Sequence, residues 1–187
     1  MVDTAQVEKF VEVARKVGAQ VTTVTTAEEA TAYIRDHVQG PVVLPEFASG
    51  IRLGLDKLLR EAGCEVACQD LRQVAAAADA GVTGANFALA DTGSVVLEST
   101  NEAIRLATTL PERHFVLLDP AKILPDGVAA IPYLRQFREK SPRHFLAYIS
   151  GPSRTADIER VLTIGVHGPR ELHILLMDGL SSDFMEL

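Results

Sequence analysis

Residues 81–99 read GVTGANFALADTGSVVLES and decide the fold of this chain. Two short apolar runs, 87–90 and 95–97, flank the tetrapeptide Asp-Thr-Gly-Ser at 91–94, which is typical of a tight hairpin turn. Gly81, Gly84 and Gly93 allow a positive φ, or a close approach by a ligand, that residues with a Cβ would resist. The stretch predicts an inner strand pair between two glycine-bearing turns.

Short polar side chains crowd these predicted turns, and each can hydrogen-bond a small ligand. They are Thr83, Asn86, Asp91, Thr92 and Ser94. The alternative is that Asp-Thr-Gly-Ser forms a turn and nothing more. The residues alone leave both interpretations open.

The composition predicts one globular domain over residues 1–187. Hydrophobic residues make up 47% and charged residues 23%, as in ordinary α/β proteins. We see no secretion signal and no apolar run long enough to span a bilayer, so we expect a cytoplasmic protein. The formal net charge of -7 argues against nucleic-acid binding, which depends on Lys and Arg neutralising phosphates.

The cysteine and histidine pattern predicts no metal site. Cys64 and Cys68 are the two cysteines, and no nearby histidine completes a four-ligand set. The segment around them fits a short strand, so we expect reduced thiols. His37, His114, His144 and His173 are scattered without the spacing of metal ligands.

Helical and extended patterns alternate along the chain and predict a three-layer α/β/α domain around a mostly parallel sheet. The predicted helices are 4–17, 27–37, 51–63, 71–80, 125–138 and 156–162, with a short helix or a loop at 101–110. The predicted strands are 20–25, 41–45, 65–68, the 81–99 pair, 115–119, 145–149 and 172–178, the last closing the sheet. The stretch from Gly179 onward is expected to be mobile unless Phe184 and Met185 dock.

Two further loops carry candidate binding residues. SGPSRTADIE at 150–159 follows an apolar strand and is predicted to enter a helix, whose free N–H groups would bind an anion together with Ser153, Arg154 and Thr155. The alternative is a capped helix with a solvated Arg154. GVHGP at 165–169 places His167 in a sharp turn, where it is either a catalytic candidate or a surface residue.

Familiar catalytic signatures are absent from the sequence, including the P-loop, the GxGxxG and GxSxG motifs and HExxH. The catalytic residues are therefore unknown, and Asp91, Glu98 and His167 are the candidates.

These three motifs, in this order, make the chain resemble the LUD-domain family, most strongly over 81–178. The family's motif positions correspond here to Thr83, Gly84, Asn86, Asp91, Thr92, Gly93, Ser94, Gly151, Pro152, Ser153, Arg154, Thr155, Asp157, His167 and Gly168. The resemblance implies a Rossmann-like fold similar to the group of glucosamine-6-phosphate isomerase, ribose-5-phosphate isomerase and CoA-transferase. It also implies a role in oxidising L-lactate to pyruvate, beside partner subunits that carry iron–sulfur clusters.

Two functions follow from the sequence and the resemblance. The first is a non-redox subunit that binds a small carboxylate or docks the iron–sulfur partners, with Arg154 on the carboxylate and no cofactor of its own. The second is a free-standing isomerase or acyl-transferase that acts on a phosphorylated or CoA-linked molecule. We expect the three loops to meet at the carboxyl ends of neighbouring strands. The sequence leaves open whether the chain forms a homo-oligomer.

Overall fold

A computed structural model describes residues 3–140, 143–156 and 162–187. The described helices are α1 (Thr4–Lys16), α2 (Ala27–His37), α3 (Ala48–Leu53), α4 (Leu55–Glu61), α5 (Leu71–Val74), α6 (Glu102–Thr109) and α7 (Ile131–Lys140). The described strands are β1 (Gln20–Thr23), β2 (Val42–Val43), β3 (Val66–Ala67), β4 (Ala80–Gly84), β5 (Phe87–Leu89), β6 (Ser94–Glu98), β7 (Arg113–Leu118), β8 (Ile123–Leu124), β9 (Leu146–Ile149), β10 (Arg154–Ala156), β11 (Leu162–Ile164) and β12 (Glu171–Leu176).

Six strands form a parallel central sheet in the order β1-β12-β7-β4-β2-β3. Residues of α2 and α4 pack on one face of this sheet, in a core that includes Ile34 and Leu59. Residues of α1 and α6 pack on the other face, in a core that includes Phe10 and Ile104. The predicted α/β class, with a mostly parallel sheet flanked by helices, is confirmed.

A second sheet of four strands, in the order β8-β5-β6-β9, contributes to the core on the α1 side. β5 and β6 are antiparallel, so the hairpin predicted at 91–94 is confirmed, and α7 residues cover the other face of this sheet. β9 pairs with β6 at the edge of the sheet, and Tyr148 on it is 49% exposed. The prediction of a buried strand at 145–149 is therefore wrong in its burial.

Local chemistry explains the elements that the sequence predicted well. Thr26 Oγ1 accepts a hydrogen bond from Glu29 N, and the Glu29 carboxylate accepts one from Thr25 N, so α2 begins at a reciprocal cap. β7 is apolar on both faces because helices and the second sheet cover the two sides of the central sheet.

Four predicted elements are corrected by the structure. The helix expected at 51–63 is divided by Gly54, which has a φ of 64°. The helix expected at 71–80 is one short turn of α-helix and a 3₁₀ turn before β4, and α7 begins six residues later than the start predicted at 125. In place of a helix at 156–162, Ala156 ends β10 and Leu162 begins the antiparallel β11, while 157–161 lie outside the described residues.

Gly81 and Gly84 lie within β4 and not in a turn. A Cβ on Gly81 would stand 1.9 Å from the carbonyl oxygen of Ala107 in α6. Glycine is therefore required here by close backbone packing and not by a positive φ.

We expect Gly81→Ala to lower the free energy of unfolding by about 3 kcal/mol, because α6 must move away from β4. The matched control is Gly127→Ala, whose Cβ would meet no atom within 4 Å. This control should be neutral or stabilising by up to about 1 kcal/mol. Urea denaturation of both variants measures the difference, and equal stabilities would contradict the packing argument.

Two buried histidines lie on neighbouring strands of the central sheet, one on each face. His114 begins the apolar run of β7, and burial, followed by the charge of His173, lowers its pKa to about 3. Burial also lowers the pKa of His173 on β12, against a hydrogen bond to Glu171. Both imidazoles are therefore neutral at neutral pH.

Acidification should destabilise the protein through His114. Since its folded pKa lies below the ordinary 6.5, the unfolded chain takes up a proton that the folded protein does not bind. Stability is full above pH 6.5 and falls between pH 6.5 and about 3, by up to about 1.4 kcal/mol per pH unit from this residue. Denaturation curves over this range should show a shallower slope for His114→Gln, and equal slopes would contradict the assignment.

Candidate functional site

A pocket of about 280 Å³ opens where β7 and β12 begin, and we call it the amino-edge pocket. Its lining consists of 147–153, 167–169, Thr108, Thr109, His114 and Leu172. Two of the three predicted motif loops thus meet in one cavity. They meet at the amino edge of the central sheet, so the expectation of the carboxyl edge is wrong.

Backbone hydrogen bonds join the two loops into one unit. Ser153 N donates to Pro169 O at 2.9 Å, and Gly165 N donates to Ser153 O at 2.9 Å. Gly168 faces Ser153, and a Cβ on this glycine would stand 3.1 Å from the Ser153 Cβ. The small residues of the two motifs therefore serve the contact between the loops.

The 91–94 turn reaches this pocket through one hydroxyl pair. The Ser94 and Ser150 hydroxyls lie 2.6 Å apart, and Ser150 lines the pocket. Ser94 also donates a hydrogen bond to Thr92 Oγ1 at 2.8 Å, whereas Asp91 and Thr92 are exposed. Of the predicted turn residues, Ser94 is thus the one directly bonded to the pocket wall.

Helix α1 fixes both the turn and the 150–153 loop. Gly93 has a φ of 62°, and a Cβ on it would stand 2.4 Å from Ala14 N. Gly151 has a φ of 79°, and its Cβ would stand 2.1 Å from Val17 O. At both positions a side chain would collide with the backbone at the end of α1.

His114 is the residue at this pocket that sequence reasoning missed. Its Nε2 lies 2.9 Å from Thr83 Oγ1, and its buried Nδ1 has no hydrogen-bond partner among the described residues. A buried polar atom without a partner is costly, so the His114 imidazole has an unmet demand for a hydrogen bond. The one sequence signal was a histidine at the start of a continuous apolar strand.

The predicted anion site around Arg154 is not formed as expected. Arg154 and Thr155 are exposed on β10, and neither lines the pocket. The Arg154 guanidinium lies beside two glycines, since a Cβ on Gly18 would be 2.7 Å from its Nη2 and one on Gly151 would be 3.2 Å away. β10 stands where the helix start was expected, so residues 154–156 do not offer the free N–H groups of a helix start. Asp157 lies outside the described residues.

His167 is exposed and belongs to the pocket wall. Glu98 lies elsewhere, where its Oε1 accepts a hydrogen bond from Thr100 N at 3.0 Å and stands 3.7 Å from His144 Nδ1. Of the three catalytic candidates, His167 is thus at the pocket, while Asp91 and Glu98 do not line it.

Gly84 ends β4 and Asn86 follows it, at the opposite edge of the sheet from His114. Asn86 Oδ1 accepts a hydrogen bond from Glu98 N at 2.6 Å, and its Nδ2 donates to Phe184 O at 2.9 Å. Both ends of the amide are thus engaged within the protein. The first predicted motif, residues 81–99, therefore contributes residues to both the amino and the carboxyl edge of the central sheet.

Within 3–140, 143–156 and 162–187, no group of three or more metal-ligating side chains occurs. Cys64 and Cys68 are free and half-buried, and burial raises the pKa of both thiols, so they are protonated at neutral pH. In the same part of the chain, no helix is both long and apolar enough to cross a membrane.

The chain is similar over most of its length to several proteins named lactate utilization protein C. It is 30% identical over 174 residues to a lactate utilization protein C of Geobacillus sp. (strain WCH70), covering 85% of this chain and 71% of that protein. It is 30% identical over 167 residues to the lactate utilization protein C of Anoxybacillus flavithermus, covering 82% and 74%.

The fold is also similar to that of a DUF162-family protein from Deinococcus radiodurans. The TM-score is 0.66 at 19% identity, and the match covers 95% of this chain and 99% of the other. A family model described as the LUD domain matches residues 7–177. The chain therefore belongs to the LUD-domain family.

Proposed function

We propose that this protein takes part in lactate utilisation as a subunit without a redox centre, which binds a small hydroxy or keto acid in the amino-edge pocket. Relatives named lactate utilization protein C, similar over most of the chain, support the lactate role. The observation that carries the binding role is the unpartnered Nδ1 of His114 at a pocket lined by serine hydroxyls.

The pocket offers groups that suit lactate and pyruvate. The neutral His114 can present Nδ1 as a donor to a keto or carboxylate oxygen, or as an acceptor for a hydroxyl, depending on which tautomer Thr83 stabilises. Ser150 and Ser153 also line the pocket and add hydroxyls. Hydrogen bonds rather than an ion pair would therefore hold the acid, because the lining residues that the structure describes include no Lys or Arg.

In this proposal the oxidation occurs on iron–sulfur partner subunits, and this chain binds no cofactor. Partner docking is supported by large apolar side chains exposed on or next to β9 and β11. Phe145 precedes the edge strand β9 and Tyr148 lies on it, while Ile164 ends β11 and Val166 follows it. The exposed fractions of these four residues lie between 47% and 60%. Exposed apolar patches and open strand edges are typical of interaction surfaces.

No specific observation favours the free-standing isomerase or acyl-transferase. That function needs Asp91 or Glu98 as base or nucleophile, and neither lines the amino-edge pocket. The binding experiment below tests this function as well, because sugar phosphates and CoA esters are titrated alongside L-lactate and pyruvate.

We predict that Ser153→Ala weakens binding of L-lactate or pyruvate about fivefold, the effect of losing one hydrogen bond worth about 1 kcal/mol. The loop should persist, since its contacts to Gly165 and Pro169 use the Ser153 backbone. Thr155→Ala is the matched control, because it removes an exposed hydroxyl outside the pocket and should leave affinity unchanged. Calorimetric titration measures both, and equal effects, or a phosphate or CoA ester as the better ligand, would contradict the proposal.

Partner docking predicts that Tyr148→Asp abolishes co-purification with the iron–sulfur subunits, because a charge on the β9 surface opposes desolvation. The control is Val128→Asp, which places the same charge on another exposed apolar residue, 73% accessible and remote from β9 in sequence. Pull-down from lactate-grown cells measures both variants. Retained binding by Tyr148→Asp, at unchanged thermal stability, would exclude this surface.

A further inference from the structure

A fully buried lysine lies at the carboxyl edge of the central sheet. Lys122 ends the turn that follows β7, and its side chain has no solvent exposure. Its Nζ donates to Ala85 O at 2.7 Å and lies 3.4 Å from Asp183 O. Burial lowers the pKa of Lys122, while the charge of Glu186 opposes that shift.

Glu186 supplies the carboxylate that faces this lysine. Its side chain is 1% exposed, and Oε2 lies 3.3 Å from Lys122 Nζ. Ser49 Oγ donates to Oε1 at 2.5 Å. Gly84 leaves room for this carboxylate, because a Cβ there would stand 3.1 Å from Oε1. We call the space formed by Ser49, Gly84 and Lys122 the carboxyl-edge crevice.

The carboxylate fits the crevice less closely than a dedicated ion pair would. Oε2 of Glu186 accepts no well-aligned hydrogen bond from a described residue, although it is buried. The other cation near it is Arg52, whose Nη2 lies 3.9 Å away and whose side chain is 52% exposed. Charge attraction to Lys122 at 3.3 Å therefore holds Oε2 in the crevice, without the aligned hydrogen bonds of a closely fitted carboxylate.

Glu186 belongs to residues 178–187, a segment without helix or strand. Arg52 donates to Leu180 O at 2.9 Å, Ser181 N donates to Asp119 Oδ2 at 2.9 Å, and Phe184 stacks on Tyr133 with ring centroids 3.9 Å apart. The family model ends at residue 177, so the segment lies beyond the match, whereas Ser49, Gly84 and Lys122 lie within it.

Solvent approaches the crevice from one side. A cavity of about 340 Å³ opens beside the ends of β2 and β3, and Phe47 lines it. The Phe47 ring would stand 3.1 Å from a Cβ on Gly84, next to the Glu186 carboxylate. The Phe47 ring therefore borders both the open cavity and the crevice.

We propose that the carboxyl-edge crevice is a binding site for a short monocarboxylate, and that the 178–187 segment closes it by inserting Glu186 as an internal substitute. Open α/β sheets bind ligands at this edge, outside the carboxyl ends of the strands. An uncompensated buried ammonium is strongly unfavourable, so an incoming anion must replace Glu186 as the segment leaves. The glutamate side chain beyond Cα has the carbon skeleton of propionate, and lactate and pyruvate are also three-carbon monocarboxylates. This site is separate from the amino-edge pocket and does not depend on it.

Glu186→Ala in the full chain tests the site, with propionate as the probe and propionamide as its uncharged control. Propionate should raise the melting temperature of Glu186→Ala, and propionamide should not. Adding Lys122→Met to this variant should remove the effect, whereas His114→Gln should retain it. Glu8→Ala, an exposed glutamate on α1, controls for loss of a negative charge.

Hydrogen exchange in the unaltered protein tests the displacement. Propionate should increase exchange of the 178–187 amides. Glu186→Gln, which keeps the shape of the side chain but not its charge, should show the same increase at a propionate concentration at least tenfold lower. If Glu186→Ala does not fold, these two proteins still decide the matter. Exchange of 178–187 that does not change with propionate in either protein would show a structural ion pair and overturn the proposal, as would equal stabilisation by propionamide.

Discussion

The parallel pairing of β12 with both β1 and β7 is the constraint on which the rest of the structure depends. The last strand of the sequence enters the middle of the sheet, with Leu172 opposite His114 and Ile174 opposite both Val21 and Val116. Main-chain hydrogen bonds on both sides of β12 join the first and last parts of the chain. The same register places Leu172 and His114 together in the wall of the amino-edge pocket.

This insertion also explains which parts of the fold the sequence could predict. Apolar periodicity and the cap at Thr26 are local signals, so the bounds of α2 agree with the prediction, and β7 is found within two residues of it. Strand order depends on contacts between distant residues, and the sequence therefore suggested that 172–178 closes the sheet when β12 in fact lies inside it. The prediction of a turn at Gly81 was wrong for a related reason. Glycine is needed there because of close packing against Ala107, which is distant in sequence.

The candidate site shows the same division between local and distant information. The motifs at 150–153 and 165–169 were predicted to meet, and they lie in contact. The predicted edge of the sheet was wrong. β9 belongs to the second sheet, and β10 and β11 pair with each other, before the chain returns to the amino end of β12. His114 and Lys122 were missed because each is a single polar residue at the border of an apolar run, where its burial depends on elements elsewhere in the chain.

The two edges of the sheet differ in chemistry. The amino edge presents hydroxyls and a neutral imidazole, whereas the carboxyl edge holds a buried ammonium that the chain itself neutralises. In our account the first binds the acid of the lactate system by hydrogen bonds. The most direct test is a crystal structure of the protein soaked in L-lactate. We predict electron density for lactate in the amino-edge pocket, with an oxygen within hydrogen-bond distance of His114 Nδ1. A soaked crystal in which this pocket contains only water at saturating lactate would contradict the account.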